Sequence, residues 1–263
     1  MKLRGLARVL LCWAAGQFAV PALAQGMLGG VDLSQPAYST SELSREQAIS
    51  LLQKREPGAP LDLSGRSLNG LDLSGLDLSR VNFRAARLVK AKLAGAKLDG
   101  AVLDQAWLLE ADLTGASLVG ARLFAAQMQR VRADGADFSR ARIAGDLSMS
   151  SLRGAKFVEA DLSADMRNQS MGLMRAVLAS AMAEGADFMT ADLRSADLRF
   201  LHARGASFAG ADLKGADASG ADLLGAKWDG AKVSELDLDQ AKIDAAARGA
   251  LRDAKNLERA TPR

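Results

Sequence analysis

The sequence predicts an all-β solenoid, and three observations lead there. From Leu61 to Ala245 the chain reads in fives: LDLSG, RSLNG, LDLSG, LDLSR, VNFRA, ARLVK, AKLAG, AKLDG, and so on to AKVSE, LDLDQ, AKIDA. Each five centres on a large apolar residue, as at Leu63, Leu68, Leu73, Leu78, Phe83 and Leu88, with a small or apolar residue two positions earlier. Glycine often closes the five, as in GADLKGADASGADLLGAKWDG from Gly210 to Gly230.

Apolar positions spaced by two point the same way in an extended segment, and neither a helix nor a flat strand continues that pattern with a period of five. The remaining residues of each five therefore turn a corner. Successive coils then pair their backbones about 4.8 Å apart, as adjacent strands do. Alanine keeps the interior narrow, leucine or phenylalanine fills it, and the closing glycine bends at low steric cost. Each turn of such a coil touches only its neighbours. Phe188, Phe208 and Trp228 recur every 20 residues, which favours four sides and one stacked aromatic column. Roughly nine coils at that spacing give a length on the order of 45 Å.

The pieces ADLTG, ADFSR, ADLSA, ADFMT, ADLRS, ADLKG and ADLLG are similar to the A-D-L-x-x signature of the pentapeptide-repeat family. The resemblance implies a right-handed quadrilateral parallel β-helix, here with short helical caps, since the hand does not follow from spacing.

Two places depart from the pattern. Around GDLSMSSLRG the centres slip by one residue, to Leu147, Leu152, Phe157 and Leu162, and the first register returns at Leu173 and Leu178. A bulge or loop at 146–172 accounts for this; the helical composition of MGLMRAVLASAMA leaves a helical insertion within Met166 to Ala183 as the alternative. The terminal coils need covers, because open strand edges invite pairing with other chains. Ser44 and Gln47 form a capping box with Leu43 stapled onto Ala48, predicting a helix to about Arg55, where EPGAP stops it. A second helix is predicted after Ile243, with Ala247, Ala250, Leu251 and Ala254 along one face.

At the N-terminus, Lys2, Arg4 and Arg8 precede an apolar run that closes on Ala22-Leu23-Ala24, the signature of an export signal cleaved after Ala24. The run is too short to span a bilayer and contains Gln17. Cys12, the only cysteine, follows Leu11 and does not suit a lipidation site. The resulting division is a signal peptide at 1–24, a leader and capping helix at 25–60, with a flexible stretch from Gln25 to Thr40, a solenoid at 61–245 and a C-terminal cap or tail at 246–263. Location in a bacterial periplasm or secretion is the consequence, with no disulfide and no stable membrane anchor in the mature chain. The signal carries three of the 34 basic residues and none of the 31 acidic ones, so the mature chain is neutral.

Neither a catalytic site nor a cofactor is expected. His202 is the single histidine; it faces outward with Asp222 one coil above, a pair without a pocket or a third orienting group. Met149, Met166, Met171, Met174, Met182 and Met189 gather about the irregular segment. Thioethers suit copper(I), but methionine also fills irregular core gaps, the default reading here. The columns Asp197, Asp217, Asp237 and Asp72, Lys92, Asp112, Arg132 read as solvated surface, the second with weak cross-coil pairing.

Within the resembling family, some cytoplasmic members imitate duplex DNA in shape and negative charge, bind type II topoisomerases and protect them from quinolones. Export and a neutral chain oppose that role here, and interleaved charges without an aromatic platform oppose nucleic-acid binding. The leading reading is a non-catalytic exported scaffold that binds another protein, with self-association left open; the topoisomerase-binding DNA mimic and the copper binder are the alternatives. On a four-sided register Val89, Trp107 and Leu109 share one outward side, with Val102 and Phe124 on the adjoining one. These five predict an apolar protein-contact patch, unless the leader or the DMRNQSM segment folds over it.

Overall fold

The computed structural model describes residues 35–56, 59–165 and 174–262, which fall within one compact unit, Leu33–Arg263. Each five contributes one short extended piece and one corner, and the pieces of successive coils pair in parallel. Four such columns stack. The outward residues of the first begin Asp62, Asn82, Val102; of the second, Ser67, Arg87, Trp107; of the third, Asp72, Lys92, Asp112; and of the fourth, Asp77, Lys97, Ser117. The interior holds the two apolar positions of every five, illustrated by Ala111 with Leu113 and Ala206 with Phe208, all fully buried.

ADLTG, Ala111 to Gly115, shows how the backbone is satisfied. Asp112 N–H donates to Ala91 of the coil below (2.9 Å), while Leu113 and Gly115 donate to Arg132 and Asp134 of the coil above (2.6 and 2.9 Å). Ala111 N–H closes the preceding corner on Leu108 (2.9 Å). That leaves Thr114 N–H, which points out of the ladder and is taken by the Asp112 carboxylate at 3.1 Å. The same bond from the residue two positions on recurs at Asp62, Asp77, Asp137, Asp161, Asp197 and Asp217, and Asn82 provides it through its amide oxygen. The aspartate of the repeat is thus a turn-closing acceptor, since a backbone donor left without one is costly. The corner residue after it has positive φ, at Gly115 (62°) but also at Arg140 (57°) and Glu159 (57°).

The aromatic column is longer than its 20-residue spacing indicates. Phe138, Phe157, Phe188, Phe208 and Trp228 stack in one file with centroids 4.8 to 5.1 Å apart and planes within 13°. It continues through the register slip because the slip occurs at a single corner. There β1 (Arg122–Gln127) pairs with β2 (Arg142–Asp146): Phe124 lies beside Ala144, yet Gln127 lies beside Asp146. One residue is missing from the upper corner, and Gly145 spans the gap. A Cβ there would sit 2.6 Å from the Ala126 carbonyl oxygen and 3.2 Å from both Ala126 N and Leu123 O.

The first register is found again beyond Asp165. Asp165 and Met174 pair antiparallel, with Asp165 N–H donating to Met174 O at 2.7 Å, and the chain resumes the coil at Val177 beside Asp146. Leu173 and the segment between these two residues lie outside the described residues. From Met174 onward the chain is extended rather than helical: Val177 and Met182 lie in the second and third columns, beside Asp197 and His202 of the next coil. Ladder bonds on both neighbouring coils outweigh the modest helical propensity of this stretch.

At the N-terminal end, α1 (Pro36–Ser39) precedes α2 (Arg45–Gln53), whose capping box is formed by Ser44 and Gln47. Ala48 of α2 is buried in the core, and Leu43 and Leu52 pack beside it. Arg45 donates to the carbonyls of Asp72 and Ser74 (2.9 and 3.0 Å), and Arg55 to that of Ser79 (3.0 Å). The C-terminal end departs from expectation: instead of one α-helix, two short 3₁₀ turns form at Ala245–Gly249 and Leu257–Arg259. The chain completes part of another coil. Lys255 lies beside Asp237, and β4 (Thr261–Pro262) pairs with β3 (Lys242–Ile243). Gly249 weakens an α-helix at its centre, while the open edge supplies partners such as Leu236 O for Lys255 N–H (2.8 Å).

Candidate functional site

The candidate residues stand on the outer sides of the coil. Of the five candidate patch residues, Val102 lies beside Arg122 in the first column and Trp107 beside Gln127 in the second. Their exposure differs from expectation. Val89 and Leu109 are buried, while Val102, Trp107 and Phe124 are half-buried. Trp107 is covered in part by residues that precede α2. Tyr38 of α1 stacks on Trp107 with centroids 6.0 Å apart and planes at 17°. Ser67 Oγ donates to Thr40 O at 2.7 Å, Glu42 N–H donates to Ser67 O at 2.7 Å, and Ser41 pairs antiparallel with Leu68. Residues 38–42 therefore run over the second side from Trp107 down to the first coil. Val102 and Phe124, on the adjoining side, remain the accessible apolar portion.

The charges beside that portion are compensated. Asp104, nearly buried, accepts from Arg122 (2.7 Å) and from Phe124 N–H (3.1 Å), with Arg84 3.6 Å away. On the second side, Asp197 is held by Arg199 (2.6 Å) and Arg175 (3.3 Å), and Arg199 also reaches toward Asp217 (3.8 Å). The expected acidic stripe is thus partly neutralised by arginines. Its third member, Asp237, accepts from Asn256 at 2.8 Å. In the other column Asp112 and Arg132 form an ion pair and Asp72 pairs with Arg45 (3.0 Å).

His202 is exposed and lies beside Asp222 across the coil boundary. The carboxylate is directed elsewhere, to Arg204 at 2.8 Å and Lys242 at 3.9 Å. A groove of about 620 Å³ runs along the corner between the first and second sides, lined by Ser163, Arg194, Lys214, Asp217 and Glu235. Arg194 is clamped on Asp192 (2.6 Å), an arrangement that raises its own affinity for the proton. Ser163 Oγ donates to Asp161 (2.6 Å), a carboxylate that also closes the turn through Ser163 N–H (3.1 Å).

The described methionines of the group about the slip do not fill the core there. Met149 and Met189 are exposed, Met182 and Met174 are half-buried, and Met182 sulfur accepts from Arg153 at 2.8 Å. Met149 occupies the corner after the second side and Met189 the fourth side. Met166 and Met171 lie outside the described residues. Sequence reasoning also missed the turn-closing aspartates, although their signal is present: aspartate two residues before serine or threonine at a corner.

Comparison with known proteins agrees with this architecture. The family model for pentapeptide repeats matches eight copies, within residues 67–105, 86–123, 108–145, 173–208 and 206–243. These segments cover more than half of the chain, and the chain belongs to the pentapeptide-repeat family. Members of that family are right-handed quadrilateral β-helices and generally serve as non-enzymatic structural or interaction modules.

Among solved structures, the chain is similar to HetL from the cyanobacterium Nostoc, involved in heterocyst differentiation regulation: 22% identity, 76% of this chain, 96% of that one, TM-score 0.27. It is also similar to QnrB1, a plasmid-mediated fluoroquinolone resistance protein, at 19% identity over 78% of this chain and 92% of that one, TM-score 0.43. A pentapeptide-repeat protein of the Arabidopsis thaliana thylakoid lumen matches at 18% identity over 56% of this chain and 79% of that one, TM-score 0.28. Curated protein sequences give no match.

Proposed function

We propose that this protein is a non-catalytic exported scaffold that holds another protein against the outside of its β-solenoid. One observation carries the reading: among the described residues, most carboxylates of the repeat are already engaged in holding the coil. Carboxylates close corners or pair with arginines, and Asp222 is directed to Arg204 and Lys242 while His202 stands apart. What remains for function is surface, and Val102 with Phe124 beside the Tyr38–Trp107 stack supplies an apolar contact of modest size. Tryptophan and tyrosine, the two residues of that stack, are the types that most often anchor a protein contact. The N-terminal export signature supports a partner in the periplasm or outside the cell.

Two measurements on the native host test this reading. Fractionation should recover a chain lacking residues 1–24 from the periplasm or medium; full-length protein in the cytoplasm overturns the export reading. A photo-crosslinking amino acid at Phe124 should trap one discrete adduct that is lost with Val102→Asp and absent when the probe is at Ser234 on the same side. Equal adducts at both positions overturn the contact surface.

A further inference from the structure

The fourth side differs from the other three in how its charges are treated. Among the described residues, ion pairs brace the first, second and third sides and both end segments. None of these pairs includes a fourth-side residue, although Lys97, Lys156 and Lys227 face outward there and Arg140 and Glu159 stand at its corners, all exposed. Between these charges the side is flat and partly apolar. Val119, Val158 and Ala209 are half-buried, and Met189 is 42% exposed. It is also stiff, because the file of rings from Phe138 to Trp228 lies directly behind it.

The order of these residues is self-complementary. Eight consecutive coils stack on this side without a break, from Asp77 to Lys227. Let a second copy lie against it, turned by a two-fold axis that crosses the side between the Asp137 and Lys156 coils. The rotation reverses the order of coils and keeps each lengthwise column facing itself. Asp77 then meets Lys227, Lys97 meets Ser207, Ser117 meets Asp187, and Asp137 meets Lys156. At the next corner Arg140 meets Glu159, and in the column between them Val119 meets Met189. Like charges never coincide in these columns, and the remaining corner positions bring glycine opposite arginine, threonine or glycine.

We propose that the fourth side is the interface of an antiparallel, two-fold symmetric dimer of this chain. Isologous contact requires a surface that complements itself, and charges that take part in no ion pair among the described residues, alternating along a partly apolar strip whose aspartates otherwise only close their own turns, meet that requirement. The third side has a column of alternating charges too, but its Asp72, Asp112 and Asp222 are spent within the chain on Arg45, Arg132 and Arg204. The inference is independent of the contact surface at Val102 and Phe124, which lies on another side.

Sedimentation velocity of the full chain over a range of concentrations and salt tests it. Arg140 and Glu159 are the residues to change, since both are exposed and close no turn. Arg140→Glu or Glu159→Arg sets like charges against each other twice in the dimer, and each alone should weaken association about tenfold. The double swap restores opposite charges and should return the dissociation constant to the wild-type range. Association should also weaken as salt rises. Melting temperatures identify any variant that fails to fold, in which case Met189→Glu replaces it as the weakening change. A chain that stays monomeric up to about 1 mM, a concentration that would reveal even very weak pairing, overturns the proposal. So does a double swap as impaired as the single changes, or a dimer indifferent to all of them.

Discussion

Phe208→Ala gives the sharpest test of the interior. The ring is fully buried, 5.1 Å from Phe188 below and 4.9 Å from Trp228 above, with planes tilted by 3° and 13°. Removing it deletes the transfer contribution of an aromatic side chain and leaves a cavity one coil deep, together costing about 3–5 kcal/mol. The gap cannot close, because the backbone spacing is held by Phe188 N–H on Ser207 O (2.7 Å) and Phe208 N–H on Lys227 O (2.8 Å). The cost therefore belongs at the upper end of that interval. Asp212→Ala, four residues along, removes a turn-closing bond to Lys214 N–H (3.1 Å) and a pair with Lys232 (3.4 Å); such groups contribute about 1 kcal/mol. Phe208→Leu should fall between them at about 1–1.5 kcal/mol, since Leu78, Leu98 and Leu118 occupy the same column in lower coils. Urea unfolding followed by circular dichroism and by tryptophan fluorescence measures all three. Equal losses for Phe208→Ala and Asp212→Ala would refute the assignment of inward and outward positions.

Two further changes probe the corners. Gly145→Ala should destabilise by about 1–3 kcal/mol, because the added methyl meets the Ala126 backbone at 2.6 Å, whereas Gly249→Ala, with open space about its Cβ site and a φ outside the left-handed region, should cost less; a thermal melt that ranks them the other way removes the tightened corner as the cause. The Asp62 and Asp72 carboxyls are held below the usual carboxylate range chiefly by the backbone N–H groups of Ser64 and Ser74, and that of Asp77 by Ser79. Their folded-state values are lowered, so their contribution is complete above the unfolded value of about 3.9 and is lost as pH falls through the lowered value. The melting temperature should decline below about pH 4, and the triple change of these three residues to asparagine, which keeps the acceptor oxygen as Asn82 does, should make that decline shallower. An unchanged acid limb would show that the turn bonds do not set it.

The period of five, the inward pair in every piece, the aromatic file at Phe188, Phe208 and Trp228 and the capping box at Ser44 and Gln47 are all legible in the order of the residues. Each of these rests on spacing along the chain, and spacing is what a regular coil converts directly into position. Other features required contacts between residues far apart in sequence. The slip of the centres is legible, but its confinement to the corner at Gly145 depends on the backbone of the coil beneath. The C-terminal segment reads as a helix until the open edge offers Lys255 and Thr261 partners that a helix cannot use. Spacing along the chain says nothing of what covers the five candidate patch residues: Trp107 is stacked on by Tyr38, more than sixty residues away in the sequence. Which charges are spent within the coil and which, among the described residues, take part in no ion pair on the fourth side likewise depends on reach across coils, so only the tertiary structure separates one outward aspartate from another.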